Sequence, residues 1–221
     1  MLPVAALLLA VPSPPIAEDP ALPGVLGLLV ALVGQALRSV TVGLAYIIRG
    51  GKDHRVYAES LVTDGLYAHC RNPMYFANFF LLAGLALASN RVVFALCAVP
   101  LGLAMHWAIV LAEEDFLRNK FGVAFEDYCR RVPRWVPRLT GLAATVRSMR
   151  FDWRRTLALE YQKSVDWICA IVVIVLFNLW RADALEEHRA LVVALGLVLG
   201  ARLAAWLAAR ALRRRGTTAS A

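Results

Sequence analysis

The stretch that decides the fold is residues 73–112, PMYFANFFLLAGLALASNRVVFALCAVPLGLAMHWAIVLA. It holds two apolar runs, residues 73–89 and 92–112, and only Asn90 and Arg91 separate them. A helix that crosses a bilayer needs roughly 20 mostly apolar residues, because the hydrocarbon core is about 30 Å thick. With so short a connection, the two runs predict a tight helical hairpin inside a membrane.

Three more apolar runs flank this hairpin, at residues 24–48, 165–180 and 190–212. The first of them carries Arg38, whose charge is costly in a membrane unless it is paired or reaches the interface. Hydrophobic residues make up 60% of the chain, above the roughly 45–50% of soluble domains. We therefore predict an all-α fold, a polytopic transmembrane helix bundle of about five spans with a polar cytoplasmic segment.

The basic residues predict how the chain is oriented. Four Lys and Arg lie in residues 49–71, eleven in residues 113–163 and four in residues 210–215, against three in the other loops. Cytoplasmic loops of membrane proteins carry such an excess, so we expect both long polar loops and the C-terminus in the cytoplasm and the N-terminus outside. The net charge is +8, but the basic residues lie between apolar spans rather than on one face of the protein. Nucleic-acid binding is therefore not expected.

The pattern divides the chain into four segments. Residues 1–23 are apolar and then proline-rich, without a basic start, which favours a short interfacial segment over a signal peptide. Residues 24–138 form the membrane core, residues 139–163 a cytoplasmic interfacial segment and residues 164–221 a two-span extension. Three roles stay open for that extension: a homo-oligomer interface, a wall of a substrate tunnel or a surface for a partner protein. The four cysteines have no CxxC spacing, and no metal site is predicted.

Two polar blocks carry the candidate chemistry: residues 63–75, TDGLYAHCRNPMY, and residues 113–137. Because the hairpin returns the chain to the side it came from, the two blocks are predicted to lie close in space. Pro73 suits the first turn of a helix, where free N–H groups bind anions. Acidic residues are unfavourable at a helix C-terminus, so Glu113 and Glu114 require a compensating partner.

Two polar residues inside the hairpin have both a functional and a structural interpretation. His106 lies two helical turns before Glu113, so both side chains point in the same direction. In the functional interpretation His106 faces the polar region with Glu113. In the structural one it is a buried histidine that forms a hydrogen bond with a neighbouring helix. Asn78 lies on the same helix face as Tyr75. Exposing its amide to lipid would cost free energy, so the side chain is expected to face another helix. The commoner role of such a residue is to hold helices together by a hydrogen bond.

The order of these motifs resembles the isoprenylcysteine carboxyl methyltransferase and phospholipid methyltransferase superfamily of membrane enzymes. The similarity covers about residues 43–138. It rests on a Gly-x-Tyr, an Arg-x-Pro-x-Tyr, a Glu-Glu pair, a Phe-Gly, a Tyr and a closing Val-Pro-Arg-x-x-Pro. The matching residues are Gly65, Tyr67, Arg71, Pro73, Tyr75, Glu113, Glu114, Phe121, Gly122, Tyr128, Val132, Pro133, Arg134 and Pro137.

This chain departs from that family at Asn72, where histidine is usual. Any role of that imidazole in handling protons is therefore absent or passes to His69 or His106. Asparagine can still position a neighbouring group by a hydrogen bond.

The resemblance implies a methyltransferase that uses S-adenosylmethionine, with a cytoplasmic catalytic segment. The implied acceptor is lipophilic or membrane-partitioned: an isoprenylcysteine carboxylate, a phospholipid amine or a thiol. The implied partners are this acceptor and the membrane lipids. Catalytic roles are implied for Arg71, Arg134 and Glu113, and cofactor contacts for Tyr67, His69, Arg71, Pro73, Tyr75, His106, Glu113 and Glu114.

Two other functions stay open. A membrane sterol or steroid reductase that uses NADPH looks similar around an Arg-His-Pro-Asn-Tyr block, although Met74 and the Glu113–Glu114 pair favour the methyltransferase. The other is a non-catalytic membrane scaffold that kept the fold, because fold alone does not fix function.

Overall fold

The helices of this protein follow the apolar runs of its sequence. The computed structural model describes residues 11–44 and 60–218, with side chains as far as residue 207. Within these ranges the α-helices are α1 Ala21–Leu44, α2 Pro73–Ala88, α3 Val92–Phe121, α4 Val123–Arg131, α5 Leu142–Ser148, α6 Trp153–Arg181 and α7 Arg189–Thr218, with a 3₁₀ turn at Gly65–Ala68. The same residues contain no strand, and the predicted all-α helical bundle is confirmed.

Among the residues that the structure describes, four helices are long and apolar enough to cross a membrane: α1, α3, α6 and the Arg189–Leu207 part of α7. The predicted second span is a shorter apolar helix, because α2 has only 16 residues. At 1.5 Å per residue it is about 24 Å long, less than the roughly 30 Å of the hydrocarbon core. The structure thus has four full-length candidate spans and one short apolar helix, where the sequence predicted about five spans.

Helix ends differ from the predicted runs where polar residues continue a helix. α1 begins at Ala21, whose N–H donates to Asp19 Oδ1 at 2.8 Å, and its predicted end at residue 48 and the basic loop after it lie outside the described residues. α3 passes through Pro100 and ends only at Phe121. α6 begins at Trp153, well before the predicted residue 165. α3 and α6 therefore extend beyond the apolar runs that predicted them.

Two glycines bring α1 and α2 into backbone contact. A Cβ atom placed on Gly27 would lie 2.5 Å from the carbonyl oxygen of Gly84, and one placed on Gly84 would lie 2.5 Å from the carbonyl oxygen of Gly27. Small residues allow this approach in membranes, where helices associate by close packing rather than by the hydrophobic effect.

α6 holds both of these helices by their C-terminal ends. Asn178 donates to the carbonyl oxygens of Ala88 and Ser89, at 3.0 and 2.9 Å, just where α2 ends. At the other end of α6, Arg155 donates to the carbonyl oxygens of Val42 and Gly43, at 2.9 and 2.7 Å. Carbonyl groups at a helix end need donor partners outside the regular helix, and α6 supplies donors at the end of α2 and at the described end of α1.

The described part of the predicted interfacial segment lies along the turn of the hairpin. Asn90 adopts a positive φ of 49° there. Its Oδ1 accepts from the N–H groups of Ile16 and Ala17, at 3.1 and 3.0 Å. The hairpin turn is therefore tied down at the end of the bundle opposite to the start of α2, and residues 1–10 of this segment lie outside the described residues.

We expect Gly27→Ala to destabilise the protein by about 1–3 kcal/mol, because the added methyl group overpacks the contact with α2. The measurement is unfolding in detergent followed by circular dichroism. Gly196→Ala is the matched control, because a Cβ atom at Gly196 meets no described atom within 4 Å. Equal stability of the two variants would contradict the close approach of α1 and α2.

Candidate functional site

The site is built around the buried carboxylate of Glu114, which is only 4% exposed. Arg134 binds it with two hydrogen bonds, from Nη2 to Oε2 at 2.8 Å and from Nε to Oε1 at 3.1 Å. Arg71 Nη1 lies 3.0 Å from Oε1. Because α3 continues to Phe121, Glu114 is inside the helix, and the two arginines, not the helix end, explain how its charge is compensated.

Asn72 completes the shell of this carboxylate. Its Nδ2 donates to Glu114 Oε1 at 3.4 Å and to the carbonyl oxygen of Arg134 at 3.2 Å. The residue that departs from the resembled family thus links the start of α2 to α3 and to the loop after α4.

The two polar blocks of the sequence lie side by side. The N–H of Arg71 donates to the carbonyl oxygen of Pro133 at 2.9 Å, and the N–H of Arg138 donates to the carbonyl oxygen of His69 at 2.9 Å. The buried Cys70 thiol donates to the carbonyl oxygen of Trp135 at 3.1 Å. Backbone contacts therefore bring together residues that are more than sixty positions apart in the chain.

Tyr75 and Glu113 form the second carboxylate contact of the site. The Tyr75 hydroxyl donates to Glu113 Oε1 at 2.8 Å, and both residues are half-buried. Pro73 occupies the first turn of α2, as its fixed φ and missing N–H predict, and places Tyr75 one turn above the Arg71–Asn72 segment.

His106 makes the helix contacts of its structural interpretation, and a cofactor contact of this residue stays a prediction. Its Nδ1 lies 2.6 Å from the carbonyl oxygen of Gly102, and its Nε2 lies 3.1 Å from Nδ2 of Asn78. Its ring also meets the Tyr75 ring edge-on, with centroids 5.6 Å apart. It is therefore bonded to helix partners and adjoins the Tyr75–Glu113 pair.

His69 and Tyr67 support the loops of the site. His69 Nδ1 lies 2.9 Å from the carbonyl oxygen of Arg138, and its Nε2 lies 2.9 Å from the Thr145 hydroxyl. The Tyr67 carbonyl oxygen accepts from the Tyr128 hydroxyl at 2.8 Å. Burial raises the pKa of Tyr128, so this hydroxyl stays a donor at neutral pH. Both His69 nitrogens are engaged in loop contacts, and a cofactor contact of this residue stays a prediction.

An aromatic cluster that the sequence did not predict lies beside the carboxylates. Trp107 stacks on Trp135, with centroids 5.4 Å apart and planes at 26°, and Phe79 lies 5.3 Å from Trp135. The guanidinium of Arg134 lies 5.7 Å from the centre of the Trp107 ring. The spacing of seven residues between Trp107 and Glu114 places both on one helix face and could have indicated this cluster.

Two buried donors at the site have no hydrogen-bond partner among the described residues, Arg71 Nε and Trp135 Nε1. A buried donor without an acceptor costs about 1–3 kcal/mol. A buried donor of this kind calls for an explanation, such as a functional role or a bound water or ion.

We expect Glu114→Gln to lower the free energy of unfolding by about 3–5 kcal/mol, because it leaves two partly buried guanidinium groups without their carboxylate. The measurement is denaturant-induced unfolding in detergent. The control is Asp115→Asn, since Asp115 is exposed and lies 4.0 Å from Arg118, a pair worth at most about 1 kcal/mol. Similar losses in both variants would contradict the role given to Glu114.

Cys70 is expected to resist alkylation at neutral pH. Burial raises the pKa of its thiol to about 11, so only ~0.1% of it is thiolate at pH 8. Iodoacetamide labelling followed by mass spectrometry should therefore modify Cys70 slowly in the folded protein and rapidly after denaturation. A labelling rate that is the same in both states would show that Cys70 is not buried.

The chain is similar to one protein family and to several known proteins. The family model described as phospholipid methyltransferase matches residues 24–124. The chain is 33% identical over 117 residues to a nickel-cobalt-cadmium resistance protein of Alcaligenes xylosoxydans xylosoxydans, covering 53% of this chain and 49% of that protein. It is 35% identical over 118 residues to a cobalt-zinc-cadmium resistance protein of Cupriavidus metallidurans, with the same coverage of both chains.

The chain is also 30% identical over 125 residues to the protein-S-isoprenylcysteine O-methyltransferase of Rattus norvegicus, covering 52% of this chain and 42% of that enzyme. It spans about half the length of the curated relatives it matches. No solved structure gives a significant match. Over residues 24–124, the resemblance to the isoprenylcysteine and phospholipid methyltransferase family is therefore confirmed.

Proposed function

We propose that this protein is an integral membrane methyltransferase that uses S-adenosylmethionine and acts on a lipophilic acceptor. The observation that carries the proposal is the convergence of Arg71 and Arg134 on Glu114, beside the Tyr75–Glu113 hydrogen bond. All five side chains lie at one end of the hairpin that the family match covers or directly follow it.

The residues present fit the polar parts of S-adenosylmethionine. Its carboxylate needs donors, and Arg71 Nε is a buried donor without a partner among the described residues. Its amino group or ribose hydroxyls need an acceptor, and the half-buried Glu113 carboxylate accepts from Tyr75 at only one oxygen in the described contacts. Its adenine needs a flat apolar surface, which Trp107 and Trp135 offer.

When bound, the cofactor supplies an electrophilic methyl group on a sulfonium centre. What remains for the protein is to align that group with its acceptor and to exclude water. We assign Arg71 and Glu113 to holding the amino-acid and ribose end. Tyr75 orients Glu113, and His106 fixes the Tyr75 ring from the side facing α3. Pro73 sets the direction in which α2 presents Tyr75.

Arg134 faces the acceptor in this proposal. Arg134 is the more exposed of the two guanidinium groups on Glu114, so its positive charge can face a bound acceptor. This favours an acceptor that is already anionic, a carboxylate or a thiolate, which needs no general base. A phospholipid amine would have to lose a proton first, and no described residue at the site is assigned that task.

The orientation of the site is part of the proposal. The excess of basic residues in residues 113–163 supports a cytoplasmic site, reached by a membrane-partitioned acceptor from the bilayer. The partners proposed are therefore this acceptor and the surrounding lipids.

One observation favours a second candidate, a non-catalytic membrane scaffold. Two relatives are named for resistance to metals, and these names state no enzymatic activity. An Arg71→Ala, Glu113→Ala double variant separates the two functions in cells. A scaffold keeps its cellular role in this variant, whereas an enzyme loses it.

The direct test is calorimetric binding of S-adenosylhomocysteine to the detergent-purified protein. Wild type should bind, and Glu113→Gln and Tyr75→Phe should bind about 10- to 100-fold more weakly, the usual effect of losing a hydrogen bond to a charged group. Glu126→Gln is the control, because Glu126 is exposed on α4 and pairs only loosely with Arg130, at 3.9 Å.

A folded wild type that binds NADPH and not S-adenosylhomocysteine would overturn the proposal in favour of a membrane reductase. Failure to bind either compound would favour the scaffold.

A further inference from the structure

A line of polar side chains crosses the core of the bundle from α6 to α3. Glu160 of α6 is 1% exposed and accepts two hydrogen bonds from Arg38 of α1, from Nε at 3.0 Å and from Nη2 at 3.2 Å. Arg38 Nη1 donates to Oδ1 of Asn78 on α2. Asn78 Nδ2 then meets Nε2 of His106 on α3 at 3.1 Å. Four helices each contribute one residue to this line.

The direction of every hydrogen bond in the line follows from the one before it. A guanidinium only donates, so Asn78 must turn its carbonyl oxygen toward Arg38 and its NH₂ group toward His106. His106 Nε2 must then accept, which places the ring proton on Nδ1. The carbonyl oxygen of Gly102, 2.6 Å from Nδ1, accepts that proton. The Arg38–Glu160 ion pair thus selects the tautomer of His106 through the orientation of the Asn78 amide.

The line ends against the proposed cofactor site. The His106 ring lies edge-on to the Tyr75 ring, at 5.6 Å between centroids and 78° between planes. The Tyr75 hydroxyl in turn holds Glu113. The orientation of His106 therefore bears directly on where Tyr75 and Glu113 lie.

Stability alone is a weak reason for this ion pair. Charged residues are costly at membrane depth, and replacing a buried ion pair by apolar residues of similar volume is often neutral or stabilising. Glu160 also lies outside residues 24–124, on a helix that the family match does not include. Its contact with Arg38 connects α6 to the site through a hydrogen-bonded ion pair as well as through packing.

We propose that Glu160 and Arg38 are positioning residues of the methyltransferase site, which act through Asn78 to hold His106 in its Nδ1–H form against Tyr75. This inference rests on the proposed function, because Tyr75 and Glu113 are the cofactor-binding groups that it orients.

The test compares wild type with the double variant Arg38→Met, Glu160→Met, which removes both charges and keeps the volume close. Nitrogen-15 NMR of the histidine rings in detergent should show His106 as one Nδ1–H tautomer in wild type. In the variant a second form should appear, because Asn78 is free to rotate its amide. S-adenosylhomocysteine, measured by calorimetry, should bind about tenfold more weakly.

The matched control is Asp166→Asn, Arg202→Met, which removes the other ion pair of α6, at 3.6 Å to α7 and with no described contact to the site. It should leave both the tautomer and the binding unchanged. If the double methionine variant fails to fold, Arg38→Leu, Glu160→Leu takes its place, because it also frees the Asn78 amide without leaving a buried charge unpaired.

A wild-type tautomer and wild-type binding in the folded variants would overturn the inference and leave the proposed function standing. Tautomer change without weaker binding would also overturn it, because His106 would then not position the site. A wild type that does not bind S-adenosylhomocysteine would overturn the proposed function and this role with it, whatever the tautomer.

Discussion

A carboxylate cannot be buried alone, and this constraint organises the site around Glu114. In a medium of low dielectric constant its charge must be met by opposite charge and by hydrogen bonds, or the fold loses several kilocalories per mole. The chain meets it with Arg71, which precedes α2, and with Arg134, which follows α4. Arg71 and Arg134 belong to separate polar segments of the chain. Because both bind Glu114, the two segments are brought together over the end of the hairpin. The backbone contacts between residues 69–71 and 133–138 then follow from the same closure.

The rest of the bundle positions this end of the hairpin. α2 is short, and at about 24 Å it ends or begins below a membrane surface. Its start carries Pro73 and Tyr75, so the proposed cofactor site lies between the start of this short helix and the part of α3 that carries His106 and Glu113. α1 supports α2 through the Gly27–Gly84 approach, and α6 ties the ends of both helices. In the proposed function, a lipophilic acceptor beside this short helix would meet the polar groups of the site while still partly within the bilayer.

The sequence predicted the parts of this structure that depend on local pattern. The apolar runs predicted the helical class and the hairpin, Pro73 predicted the start of α2, and the hairpin predicted that the two polar blocks lie near each other. What it could not predict depends on pairing across the chain. Arg38 was recognised as needing a partner, but Glu160 lies 122 positions away in a stretch of mixed polarity that indicated a surface segment. The stacking of Trp107 on Trp135 likewise depends on the closure around Glu114, which no local pattern encodes.

The position of Glu160 changes how α6 is understood. A helix outside the family match would ordinarily be considered an addition with its own role, such as an oligomer interface. Here its interior carboxylate neutralises a charge that belongs to α1, and its two ends satisfy carbonyls of α1 and α2. The matched region would leave Arg38 uncompensated at membrane depth without it. α6 therefore packs and bonds in the same helical core as the hairpin that bears the site, although the family match ends at residue 124.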